Sequence, residues 1–400
     1  MVQCAIKFDN NPLATFYSGS IIHGKVEIIL EKPMKIRGIS LIISGQASVK
    51  WTEMEQHIDN SRPHNNKTRT ETVYYTASES YIHTITYLCG SPNDSEITLD
   101  TGIHIYTFSC ALPPQLPSSV EGCYGKIRYS TKVVFDRPWK FDKTFTTGFT
   151  VIRVSDLNNE HPSIRLPTTL QVSKTFWCWP CASKPLIIEV TIPQSGYVSG
   201  QNIPITVNLY NESGRPVQHI GISLKKMIKY HSDYPTHKYK LQKITVKKIV
   251  IGSIQNSPKE ALHADLLVPA VPPTCPTSIC RIIQVYYEIR IKAFVSGLHT
   301  SPSLTIPIQI GNIPIIDYTN QSHGPISAPS APSDDIQSPT TPENSSANFG
   351  LPPPTYEEAI YLQRVNMNED DKHPICESNY IPRYPVYHFE PSAPSSTTKS

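Results

Sequence analysis

Hydrophobic and polar residues alternate with a period of two along most of the first 313 residues. One run places Ile39, Leu41, Ile43 and Val49 on one parity, and the other parity contains Ser40, Ser44, Gln46, Ser48 and Lys50. Successive side chains of a β-strand point to opposite faces, so this pattern predicts a strand with one buried face. Similar runs cover residues 127–135, 203–209 and 283–295. We find no sustained helical stripe before Pro314, and the pattern therefore predicts an all-β protein.

An internal repeat sets the number of domains. Gly38-Ile39-Ser40-Leu41 recurs letter for letter as Gly221-Ile222-Ser223-Leu224, and Ser18-Gly19 is matched by Ser199-Gly200. The economical explanation is two tandem copies of one β-sandwich, each of about 150 residues, which is large enough to be stable alone. We predict a first sandwich over 1–155, a linker over 156–174 and a second sandwich over 175–313.

The composition changes beyond the second sandwich. Residues 314–400 contain 14 of the 37 prolines, 4 of the 36 Lys and Arg, and 11 of the 33 Asp and Glu, so this tail has a net charge of −7 against +10 for the rest. Large apolar residues are scarce there, and they cannot offset an ordering cost of about 1–2 kcal/mol per residue. The tail, 314–400, is predicted to be a disordered, proline-rich segment.

The sequence disfavours a membrane-spanning segment, secretion and nucleic-acid binding. No apolar run approaches the roughly 18–20 residues that cross a bilayer, and the start of the chain lacks the apolar region of a signal peptide. Nine scattered cysteines fit free thiols in the cytosol. We therefore expect a cytoplasmic protein whose membrane association is indirect, although the positive sandwiches could attract anionic lipid headgroups or an acidic cargo tail. Aromatic residues are not interleaved as in a nucleic-acid platform, so no nucleic acid is expected.

No enzymatic motif is found, and the chain is predicted to be neither an enzyme nor dependent on a cofactor. Cys178 and Cys181 have the C-x-x-C spacing of a redox pair, but a strand follows instead of the helix that would lower a thiol pKa. With Cys275 and Cys280 they could supply four thiolates to zinc. Packed or semi-exposed thiols are the preferred interpretation.

A family resemblance rests on several spaced motifs. These are Leu112-Pro113-Pro114 with Pro117-Ser118-Ser119, Arg137-Pro138-Trp139, Gly196-Tyr197-Val198-Ser199-Gly200 and Ile310-Gly311-Asn312-Ile313-Pro314. With two sandwiches and an acidic tail, the chain resembles the alpha-arrestins, the arrestin domain-containing proteins. The resemblance implies two tandem arrestin-like, immunoglobulin-like β-sandwich domains in a cytosolic adaptor. Such an adaptor selects membrane cargo, brings a ubiquitin ligase to it and is recruited to the plasma membrane and endosomes.

The tail contains a P-P-x-Y motif, Pro353-Pro354-Thr355-Tyr356. Consecutive prolines favour the polyproline II helix, which fits the aromatic grooves of WW domains, and Tyr356 would enter a second pocket. Pro353, Pro354 and Tyr356 are thus the predicted binding residues for a WW-domain HECT-type ligase. A partial second copy, Tyr384-Pro385-Val386-Tyr387, lacks the first proline, so binding through two sites is in doubt.

Two copies of P-S-A-P provide further candidate docking peptides. Such tetrapeptides resemble ligands of the ubiquitin-variant domain of ESCRT-I, because small residues between prolines suit a narrow groove. Solvated low-complexity sequence is the alternative interpretation. The candidate ESCRT-binding residues are Pro329, Ser330, Ala331 and Pro332, together with Pro391, Ser392, Ala393 and Pro394.

The favoured hypothesis is a trafficking adaptor that promotes ubiquitination, endocytosis and endosomal sorting of receptors and transporters. One alternative is a redox- or metal-sensing scaffold that uses Cys178 and Cys181. Another is a retromer-like trafficking subunit of the same fold, in which Tyr356 has no role.

Overall fold

The structure is a computed structural model, and it describes residues 2–58, 68–91, 95–178, 181–252, 254, 257–297, 300–316, 355–358 and 380–389. Within these ranges the chain is built from β-strands, and the helical elements are two single 3₁₀ turns at Leu157–Asn159 and Pro162–Arg165. Neither turn is long and apolar enough to cross a membrane. The predicted all-β class is confirmed.

In its described residues, the first sandwich contains eleven strands. A three-stranded sheet has the order β1-β3-β8, and a larger sheet has the order β2-β11-β10-β5-β6, with β9 on β10. The short strands β4 and β7 pair with each other. The strands are β1 (Val2–Phe8), β2 (Thr15–Tyr17), β3 (Ile21–Leu30), β4 (Met34–Ile36), β5 (Gly38–Ile58), β6 (Thr68–Gly90), β7 (Ile97–Leu99), β8 (Gly102–Ala111), β9 (Val120–Gly122), β10 (Gly125–Asp136) and β11 (Lys143–Ile152).

The second sandwich packs a four-stranded sheet, β12-β15-β17-β20, against a five-stranded sheet, β16-β22-β21-β18-β19. A small hairpin, β13-β14, lies between β12 and β15 in the chain. The strands are β12 (Thr168–Lys174), β13 (Trp177–Cys178), β14 (Cys181–Ala182), β15 (Leu186–Ile192), β16 (Gly196–Val198), β17 (Asn202–Asn211), β18 (Val217–Ser232), β19 (Lys238–Ile251), β20 (Lys259–Leu267), β21 (Ile283–Val295) and β22 (Ser303–Gly311).

The two sandwiches repeat one topology, as the sequence repeat predicts. The strand that contains each Gly-Ile-Ser-Leu copy, β5 or β18, lies between a long antiparallel neighbour and a central strand, β10 or β21. Gly19 and Gly200 follow the short parallel strands β2 and β16 and have φ angles of 83° and 90°. Only glycine adopts that left-handed conformation without a steric cost, which explains why both copies have it.

The inward-facing residues of the alternating runs form the core. Ile127, Tyr129, Val133 and Phe135 of β10 have no exposed surface, as the period of two predicts. Burial of each such side chain contributes roughly 1.5–3 kcal/mol relative to leaving it in water. The hydrophobic contacts of the two sandwiches form one continuous cluster.

The predicted linker, 156–174, is partly ordered structure. β12 lies within it and forms the edge of the second sandwich, pairing with β15 along seven residues. The strand is rich in polar residues and lacks a clear apolar alternation, because an edge strand buries little of either face. The two 3₁₀ turns precede it. Asn312, at the end of the second sandwich, holds the chain just before these turns through two hydrogen bonds. Its side-chain oxygen accepts a hydrogen bond from the Ser155 amide at 2.7 Å, and its Nδ2 donates one to the Arg153 carbonyl oxygen at 2.7 Å.

Long hairpins join the two sandwiches. The β5-β6 hairpin reaches the second sandwich, where the Lys238 ammonium lies 2.5 Å from the Glu53 carboxylate. The Arg281 guanidinium lies 2.7 Å from the Glu79 carboxylate. These contacts align the sandwiches and create a continuous surface across their boundary.

Candidate functional site

Two described segments of the tail form a small hairpin. The outer strand is β23 (Thr355–Glu358) and the inner strand is β24 (Arg383–Val386). Their antiparallel register places Thr355 opposite Val386 and Tyr356 opposite Pro385. This hairpin and its neighbours, 380–389, lie across the boundary between the sandwiches, in contact with Ser119, Thr150, Ser199 and Asn312. We call the surface formed by these four residues the tail groove. The sequence predicted a disordered tail, so this contact with the body is a difference from that prediction.

Tyr384 anchors the inner strand. Its side chain is only 1% exposed, and its hydroxyl donates a hydrogen bond to the Ser119 carbonyl oxygen at 2.9 Å. Ser119 ends the proline-containing loop that carries part of the family resemblance, and its own hydroxyl accepts a hydrogen bond from the Val151 amide at 3.0 Å. A buried tyrosine needs such a partner, because an unpaired hydroxyl in the interior costs about 1–3 kcal/mol.

Tyr380 occupies the first-sandwich end of the tail groove. Its hydroxyl lies 2.8 Å from the Thr150 hydroxyl, and the Arg128 guanidinium lies 5.7 Å from its ring centroid. Arg128 also donates two hydrogen bonds of 2.9 Å to the Glu121 carboxylate, which orients the guanidinium. Burial raises the pKa of Tyr380 to about 12, so this hydroxyl stays protonated at neutral pH.

Tyr387 occupies the second-sandwich end of the tail groove. Its amide donates to the Ser199 carbonyl oxygen at 3.0 Å, and its hydroxyl donates to the Asn312 carbonyl oxygen at 2.8 Å. A Cβ at Gly200 would lie 1.9 Å from the Tyr387 carbonyl oxygen. The glycine of the Ser199-Gly200 motif is therefore required by close backbone approach of the tail as well as by its positive φ.

Tyr356, the predicted ligase-binding tyrosine, is half-buried on the outer strand. Its side chain lies beside that of Tyr17. Burial raises the pKa of Tyr17 well above its usual value, and the neighbouring Tyr356 side chain adds to that rise. The Tyr356 backbone is paired in an extended strand, which differs from the polyproline II conformation expected for a WW-domain ligand. In this arrangement Tyr356 is partly covered.

The other predicted docking residues lie outside the described residues. Pro353 and Pro354, which precede the outer strand, belong to this group. So do both P-S-A-P copies, at 329–332 and 391–394. These assignments remain predictions.

The predicted cysteine set includes two residues that are buried in the core. Burial raises the pKa of Cys275 to about 12 and that of Cys280 to about 11, which keeps both thiols protonated. The Cys280 sulfur accepts a hydrogen bond from the Ile283 amide at 3.2 Å. Cys178 and Cys181 face each other in the β13-β14 register. Among the described residues, no three His, Cys, Asp or Glu side chains are grouped as metal ligands.

Sequence reasoning missed the tail groove. It treated Tyr384 and Tyr387 as a degenerate ligase site, and it assigned no role to Tyr380. The available signal was a local concentration of apolar residues within a polar tail, from Tyr380 to Phe389. Such a run can bury enough surface to order itself when a complementary groove is present.

Comparison with known proteins identifies both sandwiches. The family model described as the arrestin (or S-antigen) N-terminal domain matches residues 4–158, and the C-terminal domain model matches 182–315. Arrestin domain-containing protein 17 of Caenorhabditis elegans is 30% identical over 312 residues, covering 76% of this chain and 69% of the relative. Arrestin domain-containing protein 4 of Mus musculus is 25% identical over 313 residues, covering 77% and 71%. Arrestin domain-containing protein 1 of Homo sapiens is 24% identical over 275 residues, covering 66% and 59%.

Proposed function

The chain belongs to the arrestin family, with both arrestin domains present, and from that premise we propose that it links membrane cargo to a WW-domain HECT-type ubiquitin ligase. The two sandwiches bind the cargo, a receptor or transporter, and Pro353, Pro354 and Tyr356 bind the ligase. The P-S-A-P copies pass the assembly to ESCRT-I. Ubiquitination, endocytosis and endosomal sorting follow from this recruitment to the plasma membrane and endosomes.

The observation that carries the proposal is the position of Tyr356. Thr355 and Tyr356 of the P-P-x-Y motif lie on the outer strand of a hairpin, and the deeply buried residues of that hairpin, Tyr384 and its neighbours, lie on the inner strand. Tyr356 is thus held at the surface of the body and is not part of the core. A docking peptide at such a position can be exposed without unfolding either sandwich.

The hairpin implies a closed and an open form of the adaptor. In the closed form, the Tyr356 backbone is paired with β24 and its side chain contacts Tyr17. A WW domain requires the same tyrosine ring and a polyproline II backbone, so the two arrangements exclude each other. Ligase binding therefore selects the open form, and the apparent affinity falls with the fraction of closed molecules.

Capture of the purified full chain on an immobilised WW-domain ligase tests the proposal. Tyr356→Ala should abolish capture, whereas the control Tyr87→Ala, which changes a tyrosine that is 49% exposed and outside the tail, should leave it unchanged. Tyr384→Ala should increase capture, because it weakens the closed form and leaves the motif intact. Undiminished capture of Tyr356→Ala contradicts the proposal.

The link to endosomal sorting has a separate test. Pro332→Ala combined with Pro394→Ala removes one proline from each P-S-A-P copy. This variant should lose binding to the ubiquitin-variant domain of ESCRT-I and keep ligase capture. Full retention of ESCRT-I binding would remove that step from the proposed function.

A further inference from the structure

Two aromatic rings are almost fully exposed at one end of the first sandwich. Trp139 is 98% exposed and Phe141 is 95% exposed. Both lie in the 137–142 connection between β10 and β11, and neither packs against the core. Large aromatic side chains contribute much of the binding energy at interfaces. Two exposed rings this close together therefore indicate a site for a protein or membrane partner.

The connection presents these rings through defined contacts. The Arg137 Nε donates to the Phe141 carbonyl oxygen at 3.0 Å, and the Lys140 amide donates to the Arg137 carbonyl oxygen at 3.4 Å. Trp139 has a φ of 59°, a left-handed conformation that is uncommon for a bulky residue. Such strain persists when surrounding contacts enforce it, and it occurs mainly at functional sites.

A positively charged cleft of about 710 Å³ adjoins the rings. Glu96 is the one acidic residue among those that line it, although Glu31 and Asp142 lie nearby in the sequence. Within the part of the chain that the structure describes, the ammonium groups of Lys32, Lys35 and Lys140 form no ion pair. The lining cations are Lys32, Lys35, Arg137, Lys140 and Lys143.

This end of the molecule is remote from the tail groove. The nearest described part of the tail groove is Tyr380, which lies over Arg128 of β10. From Arg128 the strand continues for eight residues to Asp136, a distance of roughly 26 Å at about 3.3 Å per residue. A partner at the rings therefore leaves the hairpin accessible.

We propose that residues 137–142, together with Lys32 and Lys35, form a docking tip for an anionic lipid bilayer. Trp139 and Phe141 enter the headgroup region, and the surrounding lysines contact the negatively charged headgroups. The proposal goes beyond the adaptor function and does not depend on Tyr356. It adds a direct membrane contact to the indirect association expected from the sequence.

The shape and chemistry of the tip favour a bilayer over a folded partner. The rings project from a turn, and a deformable surface accommodates projecting groups without a matching pocket. Trp is enriched at the membrane interface, and Lys side chains extend their charged ends to the headgroups while their stems cover apolar surface. Each lysine near an anionic leaflet strengthens binding about fivefold.

Co-sedimentation of the full chain with phosphatidylcholine vesicles, with or without phosphatidylserine, tests the proposal. The wild-type chain should bind the vesicles that contain phosphatidylserine. Trp139→Ser with Phe141→Ser should weaken that binding about tenfold or more. Lys32→Glu with Lys35→Glu should weaken it by more than about 25-fold, because each change reverses a charge. Ile103→Ser with Ile105→Ser is the control, because these side chains are 70% and 57% exposed on β8 and do not line the cleft.

Tryptophan fluorescence gives a second readout. A blue shift should accompany binding of the wild-type chain and disappear in Trp139→Phe, which keeps an aromatic ring and most of the binding. Tyr356→Ala should bind vesicles normally, so failure of the adaptor proposal and failure of this one are distinguishable. Equal binding to neutral vesicles, or wild-type binding by the Trp139 and Phe141 double variant, would overturn the proposal. Self-association without vesicles that depends on the two rings would identify a second copy as the partner and overturn it as well.

Discussion

The Tyr384 hydroxyl donates a hydrogen bond of 2.9 Å to the Ser119 carbonyl oxygen, although 265 residues separate the two in the chain. This contact joins the tail to the loop before β9 and so holds β24 against the first sandwich. It also connects the proline-containing loop of the family resemblance with the partial second P-P-x-Y copy. The consequences for docking, stability and modification can be measured.

Removal of the Tyr384 ring should open the hairpin. Tyr384→Ala removes a fully buried aromatic side chain, which weakens docking of the tail by about 3–5 kcal/mol. Tyr384→Phe removes only the hydroxyl and should cost about 1 kcal/mol. Hydrogen exchange of residues 383–387 measures the effect, with rates that increase in the order wild type, Phe variant, Ala variant. Identical rates in all three proteins would show that this contact does not hold the tail.

A methyl group at Gly200 should displace the tail. In Gly200→Ala, the added carbon would lie 1.9 Å from the Tyr387 carbonyl oxygen, so the segment must move. Gly214→Ala is the matched control, because Gly214 also has a positive φ, 67°, but has nothing within 4 Å of the added carbon. Both variants carry a backbone penalty of about 1–2 kcal/mol.

The two glycine variants are distinguished by a probe of the tail. Only Gly200→Ala should accelerate hydrogen exchange at 380–389 and increase ligase capture. Similar behaviour of the two variants would mean that backbone strain alone, without contact to Tyr387, explains the glycine.

The contact between Glu79 and Arg281 should make stability depend on acid pH. Burial alone would raise the pKa of the Glu79 carboxyl, but hydrogen bonds from Tyr81 and Arg281 outweigh it and hold the pKa below the ordinary 4.5. A folded-state pKa that is lowered contributes stability above the unfolded value, and this contribution is lost as the pH falls through the folded value. We therefore expect a loss of stability below about pH 4.5 that is smaller in Glu79→Gln.

Thermal unfolding measured between about pH 3 and pH 6, the range in which carboxylates titrate, tests this dependence on pH. Glu96→Gln, which changes an exposed carboxylate at the far end of the sandwich, should follow the wild-type curve. If Glu79→Gln also follows it, the contact does not stabilise the boundary between the sandwiches.

Phosphorylation of Tyr356 should block ligase docking and also release the outer strand. The phosphate adds a charge of about −1.5 to −2 at a ring that must enter an aromatic pocket. It also replaces the hydroxyl that contacts Tyr17. Peptides of residues 350–360 with and without phosphate, titrated against a WW domain, should differ in affinity by at least about tenfold. Equal affinities would contradict the expected mode of binding.

Much of the fold is readable from local pattern. The parity of Ile39, Leu41 and Ile43 reports which face of β5 is buried, because the period of two is a property of any strand. The edge strand β12 shows little apolar alternation, since its residues lie mostly in solvent, and the sequence pattern therefore predicts a linker there. The tail was assigned from its composition as a whole, and that average concealed the short apolar run around Tyr384.

Alternation, turn residues and short motifs are local features of a chain, so the sequence pattern predicts the two sandwiches and their repetition, and the docking peptides of the tail remain a prediction from that pattern. Three relationships became visible when the chain was folded: Tyr356 is paired with an inner strand, Tyr384 reaches Ser119, and Trp139 and Phe141 lie in solvent beside a cluster of lysines. These relationships depend on which distant surfaces meet when the core forms. Residues far apart along the chain are brought together by burial of apolar surface, and no local pattern specifies their contacts.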